Sequence, residues 1–120
     1  DESRLMVRGM VDIKEGAKGA DSYLLAKALL VSPKARAEIY PYLEINTDEV
    51  KASHGTSIGR IDERHLFYLK SRGVSHKQAQ QIILSDFFRD VAEKLSDEKR
   101  EKLYESLDVS FDHRIISIVA

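Results

Sequence analysis

The chain has 120 residues, the usual size of one domain, and its 42% hydrophobic and 32% charged residues are typical of globular proteins. Its formal net charge of −1 provides no basic field that would attract nucleic acid or an anionic membrane. The lack of cysteine excludes disulfides and a thiolate nucleophile, and suits a reducing cytoplasm. No stretch reaches the roughly 18–20 apolar residues that span a bilayer. We therefore predict a cytoplasmic protein that binds neither nucleic acid nor membrane.

The first half of the chain alternates apolar and other residues with a period of two. Leu5–Ile13 and Arg36–Ile45 both alternate, which predicts half-buried strands because successive side chains point to opposite faces. Ser22–Val31 is apolar almost throughout, so periodicity alone leaves strand and helix open. Its position between two alternating runs favours a strand. A fourth short run, Val50–His54, alternates again.

Short connections rich in turn-forming residues separate these runs. Strands of similar length with short connections fit the stacked coils of a β-solenoid, in which each repeat buries its inner face against its neighbours. A small β-sandwich would give much the same pattern, and the sequence repeat is too weak to separate the two. Because the sequence begins directly with a strand-like run, we also expect it to be a fragment of a longer chain.

Helical signals begin near Asp62. Asp62 is a good N-cap, and Gly73 supplies the left-handed residue that commonly ends a helix. Ser75 and Gln78 have the spacing of a capping box, which predicts a second helix. A third short helix is predicted over about 97–107.

The change of period divides the chain into two predicted domains, residues 1–60 and 61–120. The second predicted helix carries a wide apolar stripe, which is core by default but leaves room for a partner. Its members are Ala79, Ile82, Ile83, Phe87 and Val91, widened by Leu84, Phe88 and Leu95. The closing run over 109–120 fits either a last strand or a segment packed against the helices.

The sequence offers few residues for catalysis or metal binding. His54 could bind a metal, but a histidine in a strand is more often a hydrogen-bonded structural residue. Asp48 and Glu49 are best explained as an acidic turn. Gly55 and Gly59 do not belong to a phosphate-binding loop, because the pattern GxxxxGK[ST] is missing, and "GTSIG" is not the GxSxG elbow of a hydrolase. We therefore expect no enzymatic activity.

Three short segments together closely resemble the C-terminal region of the SufB/SufD family, components of the Suf iron–sulfur cluster assembly complex. They are "SHGTSIG" at Ser53–Gly59, "FYLKSRG" at Phe67–Gly73 and "PYLEI" at Pro41–Ile45. The likeness runs over about 26–95. It is closer to the SufD side, because SufB-like sequences usually carry Glu near the position of His54.

This resemblance implies the end of a right-handed parallel β-helix over 1–60, followed by a small C-terminal helical region over 61–120. It implies a non-catalytic scaffold that pairs with a SufB/SufD-type subunit as a hetero- or homodimer. The helices would dock a SufC-type ABC ATPase, whose ATP binding would reshape the pair and expose the site of cluster formation. The docking residues predicted on this basis are Phe67, Tyr68, Arg72, Ile83, Phe87 and Phe88.

The resemblance also makes His54 a candidate iron ligand, since it matches the SufD histidine at the subunit interface. Many SufD-like sequences carry Cys directly before the serine at position 53, whereas this chain has Ala52. A possible thiol ligand is therefore missing. Because iron–sulfur clusters are usually held by thiolates, we expect no cofactor bound by this segment alone. A cluster would instead lie at a subunit interface of the full complex.

Two other classes of protein remain compatible with the sequence. A β-helix enzyme acting on carbohydrate would need paired carboxylates across a groove. The loose candidates Asp12, Asp48 and Glu49 show no such pairing in their spacing. A plain interaction module would self-associate through the open end of its β-layer.

Overall fold

The computed structural model describes residues 2–107, which form four strands followed by three helices. The elements are β1 (Arg4–Ile13), β2 (Asp21–Leu30), β3 (Arg36–Ile45), β4 (Lys51–Arg60), α1 (Glu63–Ser71), α2 (His76–Ala92) and α3 (Asp97–Ser106). The predicted mixed β and α class is confirmed. The chain divides into two compact units after Arg60. The closing run over 109–120 lies outside the described residues.

The strands form two separate parallel sheets, in which β1 pairs with β3 and β2 pairs with β4. Consecutive strands therefore belong to different sheets, and the chain changes sheet at every connection. Arg4 pairs with Arg36 and Asp21 pairs with Lys51, so partners in the two sheets lie 32 and 30 residues apart. This spacing arises because parallel strands need a long crossover, here supplied by the strand of the other sheet.

The structure resolves the ambiguity of one strand and lengthens another. The ambiguous apolar run forms β2, as its position suggested. β4 is longer than the predicted Val50–His54, because its glycine-containing second half continues the ladder against β2 as far as Arg60. Glycine is a poor strand former, so this part of β4 depends on its partner strand and not on local preference.

Backbone hydrogen bonds also stack the connections between the strands. The Gly19 N–H donates to the carbonyl of Glu49 at 2.9 Å, and the Lys51 N–H donates to the carbonyl of Ala20 at 2.9 Å. Gly19 has φ +77°, which glycine adopts without steric cost. The ladder between β2 and β4 therefore extends into the turns that precede both strands.

Arg60, the last residue of β4, fastens the connection between β2 and β3. Its Nη1 donates to the carbonyls of Ser32 and Pro33, each at 3.0 Å, and its Nη2 donates to that of Ala35 at 3.4 Å. A guanidinium carries five N–H donors in one plane, so it can satisfy several carbonyls of one turn. Ala35 is buried, and the clamp holds the backbone just before β3 begins.

The strand unit has a thin apolar interior. We call "inner" the face of β1 that carries Gly9 and Ile13, the face of β2 that carries Leu24 and Ala28, and the faces of β3 and β4 that continue these two through the register. The inner faces of β1 and β2 meet at Gly9, where a Cβ atom would lie 3.3 Å from Cδ2 of Leu24. Ile13 and Ala28 are buried, but Ile58 on the inner face of β4 remains 48% exposed. Among the described residues no large side chain is fully buried, so backbone ladders carry much of the order.

The predicted caps are present at both ends of α1 and at the start of α2. Asp62 accepts a hydrogen bond from the Arg64 N–H at 2.8 Å, and Gly73 follows α1 with φ +85°. Ser75 and Gln78 form the predicted capping box at the start of α2. These caps satisfy backbone donors that a helix end leaves free.

Buried apolar residues bring the helices together. Leu66 and Leu69 of α1 are buried, as is Ala79 of α2. Ala92 and Tyr104 form a second cluster between α2 and α3, with Leu84, Leu103 and Leu107 packed around it. Within residues 2–107, no helix is both long and apolar enough to cross a bilayer.

Replacing Arg60 with Ala should lower the free energy of unfolding by about 1–2 kcal/mol, because three turn carbonyls lose a charged donor. Urea denaturation of the chain would measure this loss. Arg36→Ala is the matched control, since its guanidinium makes no hydrogen bond within the described residues. Equal losses for the two variants would contradict the clamp.

The stability contributed by Asp62 should depend on pH. The side chain of Arg64, and then its backbone N–H, lower the pKa of Asp62 from 3.8 to about 2. A carboxyl whose pKa is lowered by folding stabilises the fold above its unfolded pKa. Its contribution should be complete above about pH 4 and disappear as the pH falls to about 2.

Comparing the wild type with Asp62→Asn over this range tests the dependence. The difference in unfolding free energy should shrink as the pH falls, and Arg64→Ala should move the pKa of Asp62, followed by NMR, back towards 3.8. A difference between the two proteins that stays constant from pH 4 to pH 2 would refute this assignment.

Candidate functional site

His54 lies in β4 on the inner face of the sheet, where it is paired with Leu24 of β2. Its side chain is exposed, as is that of Thr56 next along the same face, whereas Ala52 is half-buried. The imidazole makes no hydrogen bond within residues 2–107. Residue chemistry alone favours a hydrogen-bonded, structural role for a histidine in a strand. Within the described residues, His54 does not have that role. His54 instead offers an accessible imidazole on a strand fixed by its ladder.

The described residues provide no ready-made metal centre around His54. Across residues 2–107, no three His, Asp or Glu side chains are grouped closely enough to hold a metal ion. Glu49 lies in the connection before β4 with φ 60°, and its carboxylate is 3.9 Å from the Lys18 ammonium. This supports the acidic-turn interpretation of Asp48 and Glu49. Within the described chain, His54 could supply a single ligand nitrogen.

Asp12, one of the candidates for a carbohydrate-active site, lies beside a second carboxylate that the sequence does not reveal. Asp12 pairs with Glu44 in the β1–β3 register, so two carboxylates lie side by side on one face. The Lys14 ammonium forms an ion pair with Asp12, and this contact raises the pKa of Lys14. Because Asp12 already has a cationic partner, this arrangement has the form of a surface ion pair.

The face of β4 opposite His54 contains a contact that sequence reasoning missed. Tyr23 of β2 lies across Gly55, so that a Cβ atom at position 55 would clash with the tyrosine hydroxyl. The same Cβ would lie 3.5 Å from Cδ1 of Leu25, whereas a Cβ at Gly59 would meet open space. In the sequence, only the glycine directly after His54 hints at this contact. Recognising the contact requires the register between two strands that lie 30 residues apart.

Helix α1 exposes an aromatic pair. Phe67 is 74% exposed and Tyr68 is 48% exposed, while Leu66 and Leu69 on the other side of the helix are buried. The guanidinium of Arg72, the C-cap residue, lies 4.9 Å from the centre of the Tyr68 ring. This distance is within the range of a cation–π interaction, which holds the arginine beside the aromatic pair.

The predicted docking residues of α2 are less accessible. Ile83, Phe87 and Phe88 are half-buried, and the two phenylalanine rings meet edge to face with centres 5.1 Å apart. Val91, which the sequence places in the same apolar stripe, is 55% exposed. The structure thus separates the six predicted docking residues into an exposed group on α1, completed by Arg72, and a half-buried group on α2.

Comparisons with known proteins agree with the resemblance. The family model described as "SUF system FeS cluster assembly, SufBD core domain" matches residues 1–87. The chain is 38% identical over 98 residues to the iron–sulfur cluster assembly protein SufD of Escherichia coli, covering 82% of this chain and 23% of that protein.

Two further relatives come from distant organisms. A chloroplastic SufBD-family protein of Arabidopsis thaliana is 38% identical over 80% of this chain and 17% of its own length. A SufBD-family protein of Pyrococcus horikoshii is 44% identical over 72% of this chain and 19% of its own length. The chain therefore spans about a fifth of the length of these relatives.

The contact between Tyr23 and Gly55 leads to a test with a matched pair of glycines. Gly59→Ala should stabilise the chain by about 0.5–1 kcal/mol, because glycine loses more conformational entropy in a strand than alanine does. Gly55→Ala should gain less or lose stability, since the new methyl group must displace the Tyr23 ring. Urea denaturation measures both.

In a Tyr23→Ala background the two glycine substitutions should have equal effects, because the obstructing ring is gone. A double-mutant cycle measures this interaction directly. If both substitutions have the same effect while Tyr23 is present, the ring does not restrict position 55.

Proposed function

Since this chain belongs to the SufB/SufD family of the SUF iron–sulfur cluster assembly system, we propose that it is part of a non-catalytic scaffold subunit for cluster assembly. In this proposal, the strand unit pairs with a SufB/SufD-type subunit and the helical unit docks a SufC-type ABC ATPase. The observation that carries it is the family match over residues 1–87, which includes all four strands and α1.

The strand topology supports a scaffold built from a right-handed parallel β-helix. Alternate strands pair in parallel at intervals of 30 and 32 residues, as successive coils of a solenoid do. A solenoid unit contacts only its neighbours, so the coil at one end is available for pairing with another subunit. This is the part of the proposal that assigns the dimer, hetero- or homomeric, to the strand unit.

His54 is the residue that we propose for contact with iron. Its exposed imidazole can donate one lone pair, and a single ligand does not hold iron firmly. The other ligands would therefore come from the paired subunit, which places cluster assembly at the interface. The cluster is cargo of the assembly process in this view, and no cofactor resides in this segment.

The lack of enzymatic activity is also part of the proposal. The sequence has no phosphate-binding loop and no cysteine nucleophile, so ATP hydrolysis would be supplied by the docked ATPase. A cytoplasmic location fits a cysteine-free chain, and it belongs to the same proposal.

Anaerobic co-purification of the full-length protein with its SufB/SufD-type and SufC-type partners tests this function. The wild type should retain both partners and carry iron and acid-labile sulfide. His54→Ala should retain both partners but lose at least half of the iron. Thr56→Ala is the matched control, because it alters an exposed side chain on the same face of β4.

Two outcomes would contradict parts of the proposal separately. If the wild type retains neither partner, the proposed scaffold function is wrong. Iron content that is equal in the wild type and in His54→Ala, with both partners retained, removes His54 as a ligand and leaves the scaffold function in place.

A further inference from the structure

The outer face of the β1–β3 sheet begins with two arginines side by side. We call "outer" the face of this sheet opposite Gly9 and Ile13. Arg4 of β1 and Arg36 of β3 pair in the parallel register, and both are exposed on this face. The Arg36 N–H donates to the carbonyl of Ser3 at 2.9 Å, which holds the two strands together at this point. Neighbouring strands are about 4.8 Å apart, so the two guanidinium groups extend from adjacent positions.

A small pocket opens at this end of the sheet. It has a volume of about 110 Å³ and is lined by Arg4, Leu5, Arg36 and Glu38. One water molecule in the liquid occupies about 30 Å³, so the pocket has room for a group of several non-hydrogen atoms. Two of the four lining residues carry a guanidinium, whose planar array of N–H donors matches the oxygens of phosphate and carboxylate groups.

The two arginines have no partner in the part of the chain that the structure describes. Within residues 2–107, neither Arg4 nor Arg36 makes a side-chain hydrogen bond or an ion pair. Like charges side by side on a sheet destabilise it, so this pair lowers stability unless an anion lies between the two groups. Other arginines of the described chain each bind a carboxylate or backbone carbonyls, namely Arg60, Arg64, Arg89 and Arg100.

Two nearby carboxylates are engaged elsewhere. Glu2 precedes Arg4 by two residues, and its carboxylate is 2.7 Å from the Lys34 ammonium. Glu38 lines the pocket, but its carboxylate accepts a hydrogen bond from the Tyr40 hydroxyl at 2.6 Å. Within residues 2–107, Glu38 forms no ion pair with an arginine. The pocket, with two guanidinium groups and one carboxylate, therefore keeps an excess of positive charge.

We propose that Arg4 and Arg36 bind the phosphate group of a small anionic ligand. Each guanidinium donates to phosphate oxygens, and the two positive charges balance the nearly double negative charge of the group. Inorganic phosphate and a phosphate monoester share this chemistry. The site goes beyond the proposed scaffold function, because it belongs to the β1–β3 sheet whereas His54 belongs to the β2–β4 sheet. A bound phosphate also removes the repulsion at the first pair of the β1–β3 register.

Titrations of the full-length protein with inorganic phosphate and with adenosine monophosphate test the site. Phosphorus-31 NMR at constant ionic strength would give a dissociation constant for each probe. The double variant Arg4→Gln, Arg36→Gln should raise Kd for both probes at least about tenfold, because it removes both charged donors. The variant Arg4→Lys, Arg36→Lys keeps the charge but loses the planar donors, so its Kd should rise about threefold.

A variant of the acidic residue in the pocket should have the opposite effect. Glu38→Gln should lower Kd about twofold or more, because the carboxylate repels the phosphate. The matched control is Lys18→Gln, Lys51→Gln, which makes the same change in net charge as Arg4→Gln, Arg36→Gln. Both lysines are exposed and neither lines the pocket. The Kd of this control should stay within about twofold of the wild type, because general charge effects are screened by salt.

Thermal unfolding shows whether weaker binding comes from a damaged fold. Without phosphate, the variant Arg4→Gln, Arg36→Gln should melt at or above the wild-type temperature, because both side chains are exposed and repel each other. Phosphate should raise the melting temperature of the wild type and leave that of the variant unchanged, since a ligand stabilises only a fold that binds it.

The two probes distinguish the two sources of the phosphate group. Equal Kd values identify the phosphate group alone as the ligand. Binding of adenosine monophosphate that is at least about tenfold tighter identifies a phosphate ester whose organic part makes further contacts. The proposal is wrong if the wild type binds neither probe, or if Arg4→Gln, Arg36→Gln binds both as tightly as the wild type. It is also wrong if the lysine control weakens binding as much as the arginine variant does.

Discussion

Parallel pairing between strands about 30 residues apart is the constraint on which the strand unit depends. Each strand finds its hydrogen-bonding partner two strands away along the chain, so the backbone cannot be satisfied locally. The connections have to follow the strands, and the hydrogen bond from Gly19 to Glu49 joins the connection before β2 to the connection before β4. Arg60 serves the same purpose, because its side chain, from β4, holds the connection between β2 and β3.

Parallel pairing of this kind explains why polar and apolar side chains of the strands can remain accessible. A stacked unit obtains its order from neighbouring backbones, so it does not have to close a thick core around every strand. His54 and Ile58 can therefore lie on the inner face of β4 and still be exposed. A fixed strand carrying an accessible imidazole is suited to an interface, because the position of the side chain is set before a partner arrives.

The helical unit obtains its order from side-chain caps and side-chain packing, whereas the strand unit relies on backbone ladders. Its ends are closed by side chains close in sequence, such as Asp62 and the capping box at Ser75, and Ala92 and Tyr104 bring α2 and α3 together. Arg89, Arg100 and Lys102 each pair with a carboxylate of their own helix. Phe67 of α1 remains outside these internal contacts, because Leu66 and Leu69 form the buried side of that helix.

The sequence by itself determined the features that depend on neighbouring residues: strand alternation, the caps at Asp62 and Ser75, and the family-specific segment around His54. Local rules apply there because each signal acts within one strand or one helical turn. Only the tertiary structure decided the contacts that depend on register, such as Tyr23 over Gly55 and Arg60 on its turn. It also decided that Phe67 is exposed while Phe87 is half-buried, because exposure depends on which face of a helix its neighbours cover.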